Sequence, residues 1–173
     1  MTIFVWIFCA VAIIIIAVMG IGVLCGGAPF VPTRREWING ALKLAQIGEN
    51  DVLIDLGSGN GEVLRTAINH GAKRAIGYEI NPFLAWWSRA RNAKFGDKIE
   101  VRNADFFHVD LSDDVTIIYI FQVDKVLKKI PEFLSQQKPH LKAKKLRVVV
   151  FGFKIPGEKP PVRESGGMCL YEF

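Results

Sequence analysis

The chain encodes an α/β fold: a mainly parallel sheet covered by helices on both faces and ending in an antiparallel hairpin. Three observations predict it. Short apolar runs alternate with helix-like stretches over residues 51–153, the pattern left by strand–helix–strand crossovers. The run Val52-Leu53-Ile54 leads straight into the glycine-rich DLGSGNG of residues 55–61 and then into a helix-like stretch. Near the end, two strand-like runs are separated only by Ser165-Gly166-Gly167, a link so short that the strands must be antiparallel. At 173 residues, the chain is long enough for one domain with a real core.

The elements follow in order. Pro29 and Pro32 keep the segment before Thr33 out of a helix. Thr33-Arg34-Arg35-Glu36 has the spacing of a capping box, so Thr33 is expected to start a helix. That helix carries Trp37, Ile38, Ala41, Leu44 and Ala45 at helical spacing and ends near Gly48. Strands are expected over residues 51–54, 74–79, 98–102, 115–121 and 146–153. Helices are expected over residues 62–69, 82–93 and 126–136, with Phe83, Trp86, Trp87 and Ala90 on a broad apolar face of the second. Residues 162–164 and 168–173 form the terminal hairpin. Organisation is therefore read as an anchor over residues 1–26, a lid segment and helix over 27–48, and a catalytic domain over 49–173.

The anchor is read from residues 3–25, which contain no charged side chain. At about 1.5 Å per residue they match the ~30 Å hydrocarbon layer of a bilayer. No basic stretch precedes them, so a retained transmembrane helix is expected rather than a cleaved leader. Arg34 and Arg35 lie just after it, which places the rest of the chain on the cytoplasmic side, or the matrix side in a mitochondrion. The net charge of +5 resides in that part, with Lys125, Lys128, Lys129, Lys138, Lys142, Lys144, Lys145 and Arg147 concentrated late. Such a surface suits either solvent or anionic headgroups. No nucleic-acid-binding motif accompanies it, so nucleic acid is not expected as a partner. Three cysteines and three isolated histidines supply neither a disulfide framework nor a metal site.

The glycine turn carries the chemistry. A dinucleotide site needs GxGxxG, and here the third glycine would fall on Glu62. Instead Asp55 ends the strand two residues before Gly57, Ser58, Gly59 and Gly61. This D-x-G-x-G-x-G arrangement resembles motif I of the seven-strand, Rossmann-like methyltransferases that use S-adenosylmethionine. Their ligand carries an ammonium and a sulfonium in place of a pyrophosphate, and a nearby carboxylate favours such charges. By that resemblance Glu79, at the end of the second strand, holds the ribose hydroxyls, Asp105 lies near the adenine amino group, and Phe106 packs on the ring.

A narrower family is suggested by the longer pattern. Gly27-Ala28-Pro29-Phe30-Val31-Pro32-Thr33 after an apolar run, then DLGSGNG, then Gly77-Tyr78-Glu79-Ile80-Asn81-Pro82 resemble the membrane-bound lysine methyltransferases of mitochondria. Those enzymes modify the adenine nucleotide translocase and the c-subunit of ATP synthase. The resemblance implies that Pro29, Phe30 and Thr33 fold over the cofactor and that Asn81 supports the ribose end. The chain departs from the family pattern at Asn60, where Asp is usual. The end of the fourth strand, Tyr119, Phe121, Gln122 and Asp124, would line the acceptor channel. Tyr119 and Phe121 suit the core equally well, which leaves Gln122 and Asp124 as the candidates, and no Asn-Pro-Pro-Tyr box is present. The expected activity is methylation of an exposed lysine on a membrane protein. Two alternatives stay open: methylation of a lipid or quinone, and an inactive cofactor-binding scaffold.

Overall fold

The structure is a computed structural model that describes residues 2–10, 13, 20 and 30–173. The expected anchor over residues 3–25 and the candidate Pro29 lie largely or wholly outside the described residues. Residues 2–10 are helical with their side chains exposed. Among the described residues, no helix is long and apolar enough to cross a membrane.

Five parallel strands build the sheet: β1 (Val52–Leu56), β2 (Arg74–Glu79), β3 (Ile99–Asn103), β4 (Ile117–Ile120) and β5 (Arg147–Phe151). The hairpin β6 (Arg163–Ser165) and β7 (Met168–Glu172) completes it, with β7 antiparallel to β5. The order across the seven-stranded sheet is β3-β2-β1-β4-β5-β7-β6. The expected parallel sheet with a terminal hairpin is thus present, with the last strand inserted before its predecessor. That insertion lets Leu170 and Cys169 pair with Val149 and Val150 in the buried interior. The three-residue β6, exposed throughout, takes the edge.

Because β1, β2 and β3 are laid down in one direction and β4 and β5 in the other, right-handed crossovers send the helices to opposite faces. On one face, α1 (Arg35–Leu44), α2 (Glu62–Asn69) and α3 (Pro82–Asn92) bury Ile38, Leu42, Leu64 and Ala85 against Leu53, Val101 and Ile117. On the other, α4 (Asp124–Leu127) and α5 (Ile130–Gln137) bury Leu127, Ile130 and Phe133 against Ile54, Ile118 and Val148. Arg147 locks the base of the fold. It pairs with Asp51 and donates through Nη1 to the Ala45 carbonyl at 2.6 Å and to the Gln46 carbonyl at 3.1 Å. Its charge is therefore structural and not part of a free basic surface.

Two local expectations change, and a third is completed. The first helix is not started by Thr33: its N-cap is Arg34, with no side-chain cap bond, because Thr33 turns inward to the cleft described below. The single helix expected over residues 126–136 is two, broken before Pro131, whose missing N–H and ring cannot continue a helix. The broad apolar face of Phe83, Trp86 and Trp87 is present but points to the outside, a direction the sequence left open. Helix α3 buries the small and polar Ala85, Ser88 and Asn92 instead, where Gly61 and Arg65 at the start of α2 approach Ser88 and Asn92.

Candidate active site

The cleft opens at the carboxyl ends of the parallel strands and encloses about 490 Å³, within the range of small-ligand sites. Asp55 is its floor. It ends β1 opposite Gly77 of β2 and Tyr119 of β4, and alternation along β1 points it to the same face as Leu53. Its side chain is buried. Burial, and secondarily the charge of Glu79, push its carboxyl up to about 8. Among the described residues, no cation offsets either effect.

The turn after Asp55 is shaped by backbone. Gly57 and Ser58 both donate their N–H to the Tyr78 carbonyl at 2.9 Å, which folds the loop across the end of β2. Gly57 and Gly59 have positive φ, 94° and 51°, which only glycine adopts without strain. A side chain at Gly57 would strike Gln122 Nε2, and one at Gly59 would strike the Phe30 ring. Gly61 serves a different purpose. It lies outside the cleft lining, and a Cβ there would meet Ser88 Oγ and Asn92 Nδ2 at 2.3 Å. It lets α2 pack tightly on α3.

Glu79 is the second carboxylate of the cleft and binds protein as well as facing the cavity. Its Oε2 accepts from Gly59 N–H at 2.7 Å and its Oε1 from Asn81 N–H at 2.9 Å. Burial raises its carboxyl, and those backbone N–H groups pull it back only in part. Each oxygen retains a lone pair for a ligand hydroxyl. Asn81 in turn caps α3, its Oδ1 accepting from Phe83 N–H at 3.0 Å and Leu84 N–H at 3.3 Å. The chain Gly59–Glu79–Asn81–α3 thus couples the glycine turn to the next helix.

The remaining candidates separate clearly. Phe30 and Thr33 line the cleft together with Ser58, Asp105, Phe106 and Gln122. Asp105 accepts from Phe107 N–H at 3.0 Å and pairs with His108, so it shapes its own turn as well as the wall. Gln122 Nε2 donates to the Leu56 carbonyl at 2.9 Å and braces the glycine turn. Asp124 does not reach the cleft. It is exposed and paired with Lys128 at 2.8 Å. Its neighbours Val123, Lys125 and Val126 line the wall instead.

Further residues complete the site, among them Tyr119 and Phe121, which the sequence left between core and channel. Tyr119 is buried beside Asp55, its hydroxyl against Thr33 without a well-formed hydrogen bond. Ser58 Oγ is also buried without a partner. Tyr78, Leu84, Phe107, Phe121 and Phe153 supply apolar wall. Parallel-strand pairing assigns Tyr119 to the cleft, since it lies next to Asp55 once β1 and β4 are neighbours. Glu62 anchors the rim: Arg35 Nε donates to it at 2.5 Å, and Arg65 pairs with it. Burial pushes the Glu62 carboxyl up, but Arg65 and Arg35 more than offset that and hold it below the usual carboxylate range.

A cleft with a carboxylate floor, a second carboxylate over a glycine turn and aromatic walls, at the carboxyl ends of a parallel sheet with an antiparallel terminal hairpin, is the site of a nucleotide-cofactor methyltransferase. Similarity to known proteins agrees and narrows it. Residues 55–162 match the family described as the ANTKMT methyltransferase domain, and the chain belongs to that family. A protein-lysine N-methyltransferase of Saccharolobus islandicus is 31% identical over 137 residues, covering 76% of this chain and 81% of that one. The human lysine N-methyltransferase of the ATP synthase c-subunit is 30% identical over 111 residues, covering 63% of this chain and 46% of that one. The chain spans about half the length of such vertebrate relatives. Among solved structures, an RNA methyltransferase from Salinibacter ruber in complex with S-adenosylhomocysteine superposes with a TM-score of 0.71. It is 33% identical and covers 83% of this chain and 92% of that one.

The protein is an S-adenosylmethionine-dependent methyltransferase. Its residues fit that cofactor on three observations: a buried carboxyl at Asp55 with no cation among the described residues to balance it, an unpartnered Ser58 hydroxyl, and a turn whose Gly57 and Gly59 line the cleft without side chains of their own. Asp55 would hold the ammonium end and Glu79 the ribose hydroxyls, while Asp105 and Phe106 would line the adenine end. Among the described residues, no cluster of three or more metal-ligating side chains exists.

Proposed function

We propose that the chain is a membrane-anchored protein-lysine N-methyltransferase whose acceptor is an exposed lysine on a membrane protein. Residues 3–25 hold it in the bilayer, and the catalytic domain stands on the cytoplasmic or matrix side. The observation that carries the reading is the apolar acceptor side of the cleft, formed by Tyr119, Phe121, Val123 and Phe153. The activities for which the Saccharolobus, human and mouse relatives are named support it.

Bound in the cleft, S-adenosylmethionine supplies an electrophilic methyl group on a sulfonium. The protein's part is alignment and removal of water. A lysine ammonium, with an ordinary pKa near 10.4, must first lose a proton. Apolar walls disfavour the charged form and lower that pKa, so no dedicated base is needed. The Tyr119 hydroxyl, pushed up mainly by burial and further by the charge of Asp55, stays neutral and is suited to accept or donate one hydrogen bond. Holding the amine in line with the methyl group provides most of the acceleration.

A second reading, methylation of RNA, is favoured by the name of the Salinibacter neighbour. Incubating the purified full chain and labelled cofactor with membranes and RNA from cells lacking the protein separates the readings. Label in a polypeptide is the expected result. Label confined to lipid extract, or to RNA, overturns the lysine reading.

A further inference from the structure

The apolar pattern of α3 faces away from the fold. Phe83, Trp86, Trp87 and Ala90 recur at i, i+3, i+4 and i+7, the spacing of a buried stripe. Yet Phe83 is 44% exposed, Trp86 57% and Trp87 43%. The rings form one cluster, with centroids 5.8 Å apart for Phe83–Trp86 and 6.3 Å for Trp86–Trp87. The turn after α3 adds the exposed Lys94 at the end of the stripe, and Arg91, exposed and 3.9 Å from Glu62, flanks it. Residues 82–98 carry Arg89, Arg91, Lys94 and Lys98 against Asp97 as the sole acid.

We propose that this outer face of α3 is an interfacial membrane contact, seated among the headgroups of an anionic bilayer. Tryptophan has an apolar body and one N–H donor, a combination that favours the boundary between hydrocarbon and water. A single convex helix face with rings along its middle and cations towards its C-terminal end matches a flat, negatively charged surface. The same helix begins at Asn81, and Leu84 in its first turn lines the cleft. Seating α3 therefore brings the cleft mouth to the bilayer. The contact is separate from residues 3–25 and independent of which molecule accepts the methyl group.

The chain has four tryptophans, Trp6, Trp37, Trp86 and Trp87, so the full chain carrying Trp6→Phe and Trp37→Phe reports on α3 alone. It is reconstituted with vesicles of phosphatidylcholine and phosphatidylglycerol whose acyl chains are brominated near the headgroup or near the bilayer centre. Emission should fall roughly twofold with shallow bromine and much less with deep bromine, as for an interfacial ring. Lys94→Glu, or omission of phosphatidylglycerol, should weaken the quenching. In the unsubstituted chain, hydroxyl-radical oxidation of Trp86 and Trp87 should drop severalfold on anionic vesicles relative to phosphatidylcholine vesicles. Emission and oxidation unchanged by lipid would overturn the proposal, whether the face meets water, a protein or a second copy of the chain.

Discussion

Asp55 and Glu79 are buried carboxyls that serve different partners, and their protonation should show it. Asp55 has an ordinary value of 3.8 and is pushed up to about 8 in the ligand-free fold. Between those values the folded state holds a proton that the unfolded state has lost. Its contribution to stability is therefore full below the lower value and is lost as pH rises through the upper one. A ligand ammonium reverses the preference and drives the proton off. Binding of S-adenosylhomocysteine at about pH 6.5, below the α-amino range of about 7.7–8.0, should then release close to one proton. Calorimetry in buffers of different ionisation enthalpy reads this directly. Asp55→Asn should abolish the release, and an equal heat in all buffers for the parent protein would refute the assignment.

Glu79 holds Gly59 and Asn81 N–H groups, so its replacement touches both binding and fold. Glu79→Ala should weaken cofactor binding by roughly 1.5–3 kcal/mol, the range for hydrogen bonds to a charged group. It should also lower the melting temperature, since two backbone donors lose their partner. A calorimetric affinity within twofold of the parent would remove the ribose role.

At the scale of elements, the glycine turn and the segment around Phe30 make contrasting predictions. Gly61→Ala puts a side chain at φ 74° against Ser88 and Asn92. It should destabilise the fold by about 2 kcal/mol, from the left-handed backbone and overpacking together, as read by denaturant unfolding. Phe30 lies over Gly59, so Phe30→Ala should weaken cofactor affinity with little change in the unfolding midpoint. Unchanged affinity would make the segment a linker and not a lid.

Much of this level was legible in the sequence. Helix α2 and strand β2 lie where glycine stops and apolar runs placed them, because punctuation and burial agree there. The inward turn of Thr33 was not legible, since a capping box describes local spacing and Thr33 is drawn to Tyr119 by tertiary packing. The direction of α3 was not legible either. Periodicity shows that a helix has an apolar stripe, but it does not show which side the sheet lies on. Asp124 was misplaced for a related reason: the first residues after β4, Phe121 and Gln122, enter the crevice, whereas Asp124 starts a short helix and turns outward to Lys128.

For the whole molecule, the sheet, the two helical faces and the cleft followed from alternation and the glycine motif. Tyr119 was legible as a core or a channel residue, and its place beside Asp55 followed only once strand neighbours were known. Three features lie in one molecule: a cleft floored by Asp55 and Glu79, its apolar wall of Tyr119, Phe121 and Phe153, and apolar surfaces at residues 2–10 and on α3. In the proposed function they direct methylation to lysines close to a bilayer. The most direct measurement is mass spectrometry of membrane proteins from cells carrying the parent chain, no chain, or Glu79→Ala. The expected result is an integral membrane protein with methylated lysine in the first cells and unmodified lysine in the other two. Identical lysine methylation in all three, with a methylated RNA or lipid lost instead, would contradict it.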